Sequence, residues 1–167
     1  MKLVRLLFLC LLPCFAFSQN NKQVAFRELT VEQGLSQNSV VSIAQDSTGF
    51  MWFATQDGLN KYNGYNFVSF RHTPFDETSI GYSTITKLKE DENGYIWLTT
   101  LSEGIYRYDR NKNIFKNYHY DPDDESSLSS NKLSCICGDS RSYWIGTYGS
   151  GFNRFFPKTG KCIRYEH

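Results

Sequence analysis

After Ser18 no long stretch keeps apolar residues at helical spacing; the chain instead runs in short segments that alternate apolar and polar positions with the period of a strand. Val41 to Gln45 predicts a first strand. Asp46-Ser47-Thr48-Gly49 follows as a tight turn, in which the Asp side chain can bond the backbone and the Gly can take a left-handed conformation. A second strand carries Trp52, and Gln56-Asp57-Gly58-Leu59 leads into a third, with Leu59 and Lys61 on one face and Asn60 and Tyr62 on the other. Asn63-Gly64 then opens a fourth strand, Asn66 to Phe70.

The same pattern returns twice. Ile85 to Glu90, Asp91-x-x-Gly94, Trp97, Ser102-Glu103-Gly104-Ile105 and Ile114 to Tyr118 form a second copy. Leu133 to Cys137, Trp144, Gly149-Ser150-Gly151-Phe152 and Cys162 to Tyr165 form a third, whose first turn is one residue shorter. The tryptophans stand 45 and 47 residues apart, a period of propeller blades, and four strands per period is the content of one blade. The segments 72–79 and 121–127 are polar, acidic and Pro-bearing, and read as surface loops between blades. The fold class expected is all-β: a partial β-propeller of three four-stranded antiparallel blades after an N-terminal signal peptide. Its expected divisions are 1–18 signal peptide, 19–39 lead-in, 40–79 blade 1, 80–128 blade 2 and 129–167 blade 3.

Thirteen Phe, eleven Tyr and three Trp fit this picture, because aromatic residues favour strands. A large aromatic at one fixed place in each blade, Trp52, Trp97 and Trp144, predicts packing between adjacent sheets. Asp46, Asp91, Gly49 and Gly94 are the repeated turn residues; Gly58, Gly104 and Gly151 recur at the approach to the third strand.

The first residues read as a signal peptide. Lys2 and Arg5 precede an apolar run from Leu6 to Phe17, with Ala16 and Ser18 before a cleavage point at Gln19. That run is short for a membrane span, which needs about 20 residues. Leu12 and Pro13 are not the small residues that precede a lipid-modified cysteine. Export predicts a periplasmic or cell-envelope location. Without residues 1–18 the chain keeps 16 basic against 17 acidic residues, so no basic field draws it to nucleic acid. Cys135, Cys137 and Cys162 then remain. Cys135 and Cys137 lie side by side on one strand face, where a direct bridge is awkward, and are expected to be small buried hydrophobes.

The motifs Gly34-Leu35-Ser36-Gln37-Asn38-Ser39, Asp46-x-x-Gly49-Phe50-Met51-Trp52-Phe53-Ala54-Thr55-Gln56-Asp57-Gly58-Leu59 and Tyr62-Asn63-Gly64 resemble the opening blade of the two-component regulator propeller repeats found in hybrid sensor histidine kinases of Bacteroidetes. The second and third copies resemble successive blades, although Arg141-Ser142 stands where glycine is usual. The resemblance covers residues 24–167. It implies a periplasmic sensor input domain that reports glycan fragments or related nutrients to a kinase, and none of the kinase machinery is in these residues. Closed propellers have about four blades or more, so three leave two terminal faces whose aromatic surface needs a cover. The chain therefore reads as a fragment, with the missing blades or the rest of a sensor kinase as its partner, unless copies associate into a ring as a homo-oligomer.

No Gly-x-Ser-x-Gly, paired-histidine helix or P-loop occurs, and His72, His119 and His167 lie in or beside linkers or at the end. The chain is accordingly expected to be non-enzymatic, with no cofactor and no catalytic or metal residue. The acidic run His119 to Glu125 lacks the central glycine and terminal Glu of a calcium loop. Tyr62, Tyr65 and Tyr148 are the candidate ligand residues, since an exposed ring beside a turn can stack on the apolar face of an oligosaccharide. Two other functions stay open at this point: a propeller lyase or glycosidase with residues converging on a central channel, and a structural protein-interaction propeller.

Overall fold

The computed structural model describes residues 25–81 and 84–166. The expected signal peptide and the start of the lead-in lie outside the described residues. Twelve strands form three four-stranded antiparallel sheets, each ordered as in the chain. Blade 1 holds β1 (Val40–Gln45), β2 (Met51–Thr55), β3 (Gly58–Tyr62) and β4 (Phe67–Phe70). Blade 2 holds β5 (Ile85–Glu90), β6 (Ile96–Thr100), β7 (Ile105–Asp109) and β8 (Ile114–Tyr118). Blade 3 holds β9 (Leu133–Asp139), β10 (Ser142–Thr147), β11 (Phe152–Phe156) and β12 (Lys161–Tyr165). The first strands of successive blades, β1, β5 and β9, run next to one another, while β4, β8 and β12 form the outer edges.

The turns close as the residue types dictate. Asp46 Oδ1 accepts the amides of Thr48 and Phe50 at 3.0 Å each, and Asp91 Oδ1 accepts those of Asn93 and Tyr95 at 2.9 and 3.0 Å. Gly49 and Gly94 take the left-handed φ of 92° and 79° that the turn requires. In the shorter third turn Asp139 Oδ1 accepts the Arg141 amide at 3.0 Å, and the left-handed residue is instead Gly138.

The sheets pack face to face, blade 2 against blade 1 on one side and against blade 3 on the other. Trp52, Ala54 and Leu59 of blade 1 meet Ile96, Leu98, Tyr108 and Phe115 of blade 2 in one core. Trp97 and Ile105 of blade 2 meet Tyr143, Ile145, Phe155 and Cys162 of blade 3 in a second. Burial pushes the Cys162 thiol up to about 12, so it stays an unreactive apolar group.

The interblade linkers are more than surface loops. Asp76 Oδ1 accepts both the amide and hydroxyl of Thr78, Asp124 Oδ1 does the same for Ser126, and Ser79 and Ser127 tie the two ends of each linker together. The Thr78 carbonyl accepts the Phe115 amide and the Ser126 carbonyl accepts the Cys162 amide, fastening each linker to an outer strand. Ile80 and Leu128, which end these linkers, sit in the two interblade cores.

Two expectations need correction. Cys135 and Cys137 are exposed rather than buried, because they lie on the face of blade 3 that no further sheet covers. Trp144 shares that face. It sits opposite Cys137 and Arg154 as Trp97 sits opposite Lys89 and Arg107, but it is 39% exposed whereas Trp52 and Trp97 are fully buried.

Gly58, Gly104 and Gly151 hold one position in the three blades, with φ of 97°, 79° and 65°. A Cβ there would run into the carbonyl oxygen of Phe70, Tyr118 or Tyr165 on the outer strand. Gly104→Ala combines that clash with an unfavourable φ and is expected to lower stability by more than about 1 kcal/mol, read as a shift in the urea midpoint. An unchanged midpoint would show that the outer strand moves aside freely.

Candidate functional site

A connected polar assembly lies where blades 1 and 2 meet. Asp46 Oδ2 accepts the indole N–H of Trp52 at 2.8 Å, so one carboxylate closes the turn and fixes the core tryptophan. Asp91 does the same for Trp97 at 2.9 Å. Arg110, in the turn after β7, reaches back across the junction, donating to Asp46 Oδ2 at 2.8 Å and Glu90 Oε1 at 2.9 Å. Glu90 in turn accepts the amide and hydroxyl of Ser47 on blade 1. Burial acts to raise the Asp46 carboxyl, yet hydrogen bonds from the Thr48 hydroxyl, the Trp52 indole and the Phe50 and Thr48 amides together hold it below its ordinary 3.8. Its side chain has no exposed surface, so this charge acts on the fold and not on a solute.

A cation lies over each tryptophan from the neighbouring third strand: Lys61 over Trp52 at 5.5 Å, Arg107 over Trp97 at 5.9 Å and Arg154 over Trp144 at 5.5 Å. Blade 3 departs from the latch. The Asp139 carboxylate is engaged by Arg141 at 2.7 Å, which with the Arg141 amide draws it down to about 2.

The three candidate ligand tyrosines do not converge. In a meandering sheet, the turns after the first and third strands lie at one end and the turn after the second strand lies at the other. Tyr62 and Tyr65 flank the β3–β4 turn, whereas Tyr148 follows β10 and belongs to the opposite end. Tyr62 donates to the Gly64 carbonyl at 2.7 Å and packs on Phe67 with ring centroids 4.6 Å apart. Tyr65 is exposed and stands away from these rings.

Tyr148 lies beside a polar cleft of about 380 Å³ formed by the turn Gly149–Gly151 with Tyr120, Ser129, Arg164 and Glu166. The Arg164 guanidinium covers the Tyr120 ring at 5.3 Å and is held by the Ser127 carbonyl at 3.0 Å, the Ser127 hydroxyl at 2.7 Å and the Asp124 carbonyl at 2.8 Å. The cleft thus pairs a flat ring with fixed donors and a carboxylate, a composition suited to a polyhydroxylated or zwitterionic solute. Tyr120 and Arg164 escaped notice in the sequence. The repeated Asp-Glu-Thr/Ser-Ser-Ile/Leu of the linkers, 48 residues apart, is the signal that would have marked the linker as a built element.

Comparison with known proteins gives the context. Residues 34–57 match the two component regulator propeller repeat. A curated relative, histidine kinase P4 of Formosa agariphila, is 47% identical over 60 residues, which are 36% of this chain and 4% of that protein. The extracellular domain of a hybrid two component system from B. thetaiotaomicron matches with 34% identity and a TM-score of 0.77, over 84% of this chain and 20% of that one. A second B. thetaiotaomicron extracellular domain, from a one component system, shares the fold at 23% identity and a TM-score of 0.64, over 82% and 21% of the two chains. The chain therefore spans about a fifth of these solved domains and a small part of the kinase. It carries the two component regulator propeller repeat and, in its three sheets, the blade fold of the extracellular part of a hybrid two component system.

Proposed function

We propose that this chain is part of an extracytoplasmic recognition propeller of a two-component histidine kinase, exported by residues 1–18, and that the ligand it helps to recognise is a carbohydrate. The match to the extracellular domain of a hybrid two component system, at 34% identity over 84% of this chain, carries the reading. Further blades of the longer protein would cover the exposed face of Trp144, as Tyr143 and Phe155 cover Trp97. The cleft next to Tyr148 supports the choice of ligand: Tyr120 brings a ring, one face of which Arg164 covers, and the Glu166 carboxylate and the Arg164 guanidinium bring groups that hydrogen-bond hydroxyls.

Calorimetric titration of the exported part of the protein with a panel of oligosaccharides tests this. One class of glycan is expected to bind, and Tyr148→Ala and Tyr120→Ala are expected to weaken it by about tenfold each, or about 1.4 kcal/mol. Tyr65→Ala, at the other end of the sheets, is expected to leave it unchanged. Absence of binding across the panel, or equal loss from Tyr65→Ala, would reject the carbohydrate reading.

A further inference from the structure

The two interblade junctions use the same strands in the same register, so they can be compared position by position. The turns after β7 and β11 have the same length: Asp109 to Asn113 in blade 2 and Phe156 to Gly160 in blade 3, each ending on a left-handed residue, with φ of 56° at Asn113 and 74° at Gly160. Ile105 pairs with Tyr118 as Phe152 pairs with Tyr165. Pro157 therefore occupies the position of Arg110.

That replacement leaves the second junction without its clamp. At the first, the Arg110 guanidinium fills the space between Asp46 and Glu90. At the second, Asp91 receives the two turn amides and the tryptophan indole as Asp46 does, but Asn93 stands where Thr48 adds a hydroxyl, Gly138 stands where Glu90 does, and Pro157 offers no donor. Among the described residues no cation lies within ion-pair distance of Asp91. A cleft of about 280 Å³ opens there instead, lined by Asp91, Tyr95, Trp97, Arg107, Ser140 and Lys158.

We propose that this cleft binds a small solute carrying a guanidinium group, which takes at Asp91 the place that Arg110 takes at Asp46. A planar guanidinium suits the carboxylate, which it can meet through parallel N–H donors, while Arg107 already covers the Tyr95 and Trp97 rings at 4.4 and 5.9 Å. Arg107 and Lys158 line the same cleft, so a cation without an anionic group of its own is repelled there. The solute that satisfies both ends carries an anionic group opposite its guanidinium, as arginine does and agmatine does not.

The test is titration of the intact chain with L-arginine, agmatine and L-lysine, followed by calorimetry and by thermal shift, for the wild type and for Pro157→Arg. The new arginine side chain would occupy the cleft as Arg110 occupies its counterpart. The expected result is a preference for arginine over both agmatine and lysine, and a loss of at least about tenfold in Pro157→Arg, the size of one charge-assisted bond. Asp91→Asn is expected to lose binding likewise. Because Asp91 also closes a turn, Pro157→Arg, checked for native circular dichroism, carries the decision if Asp91→Asn does not fold. No binding of arginine at millimolar concentration, agmatine binding as tightly as arginine, or arginine binding that survives Pro157→Arg would overturn the proposal. The glycan titration concerns the cleft at the other end of the sheets, so the two readings stand or fall separately.

Discussion

Trp97→Ala is expected to unfold the chain or bring it to the edge of unfolding, while Trp144→Ala shifts its stability by no more than about 1 kcal/mol. Both residues occupy the same strand position and both lie under a cation from the next strand. Trp97 is fully buried, with its ring 5.3 Å from Tyr143 and 5.5 Å from Phe155 of the next blade. Its removal opens a cavity worth about 3–5 kcal/mol and leaves the Asp91 carboxylate without the indole donor. Among the described residues the rings that Trp144 meets, Phe152 and Tyr165, each at 5.7 Å, belong to its own sheet, and it is 39% exposed. Urea unfolding followed by circular dichroism distinguishes the two. Equal losses would mean that the interblade core is not what stabilises this chain.

Arg110→Met is expected to cost about 3–5 kcal/mol at neutral pH, because it strips a fully buried carboxylate of its cation. The double variant Arg110→Met, Asp46→Asn should recover much of that loss, since the unpaired charge is the source of the penalty. The acid side gives an independent readout. Asp46 is held below its ordinary 3.8 in the folded state, so its contribution is fully present above that value and is lost as pH falls through the lower folded value. The wild type should therefore weaken below about pH 4 by a step that Asp46→Asn lacks. A variant as stable as the wild type at pH 7 would show that Arg110 is replaceable by an apolar stem.

What the sequence reveals and what it hides follows from periodicity. The strands and the tryptophan positions recur in each blade and the Asp-x-x-Gly turn in two of them, and a feature that repeats is visible without a structure. The hydrogen bond from Trp52 or Trp97 to the aspartate six residues earlier is implicit in that recurrence but needs the hairpin geometry to be seen. Arg110 has no such trace. Gly64 and Pro157 stand in the neighbouring blades where the chain needs a turn and not a clamp, so this arginine looks like any charged turn residue. The exposure of Cys135, Cys137 and Trp144 was hidden for a different reason. Alternation tells which face of a strand is apolar, but only the next sheet decides whether that face is buried. The tyrosine candidates show the same limit: a turn can be located by sequence, but Tyr65 and Tyr148 are on opposite ends of their sheets because two turns of a meander share one end and the third does not.

The measurement that bears most directly on the sensor account is the transcriptional response of the host to a panel of oligosaccharides, with and without an in-frame deletion of residues 40–166. The account predicts that the response to one class of glycan disappears while growth on other sugars and their responses are unchanged. Retention of every response after the deletion would contradict it.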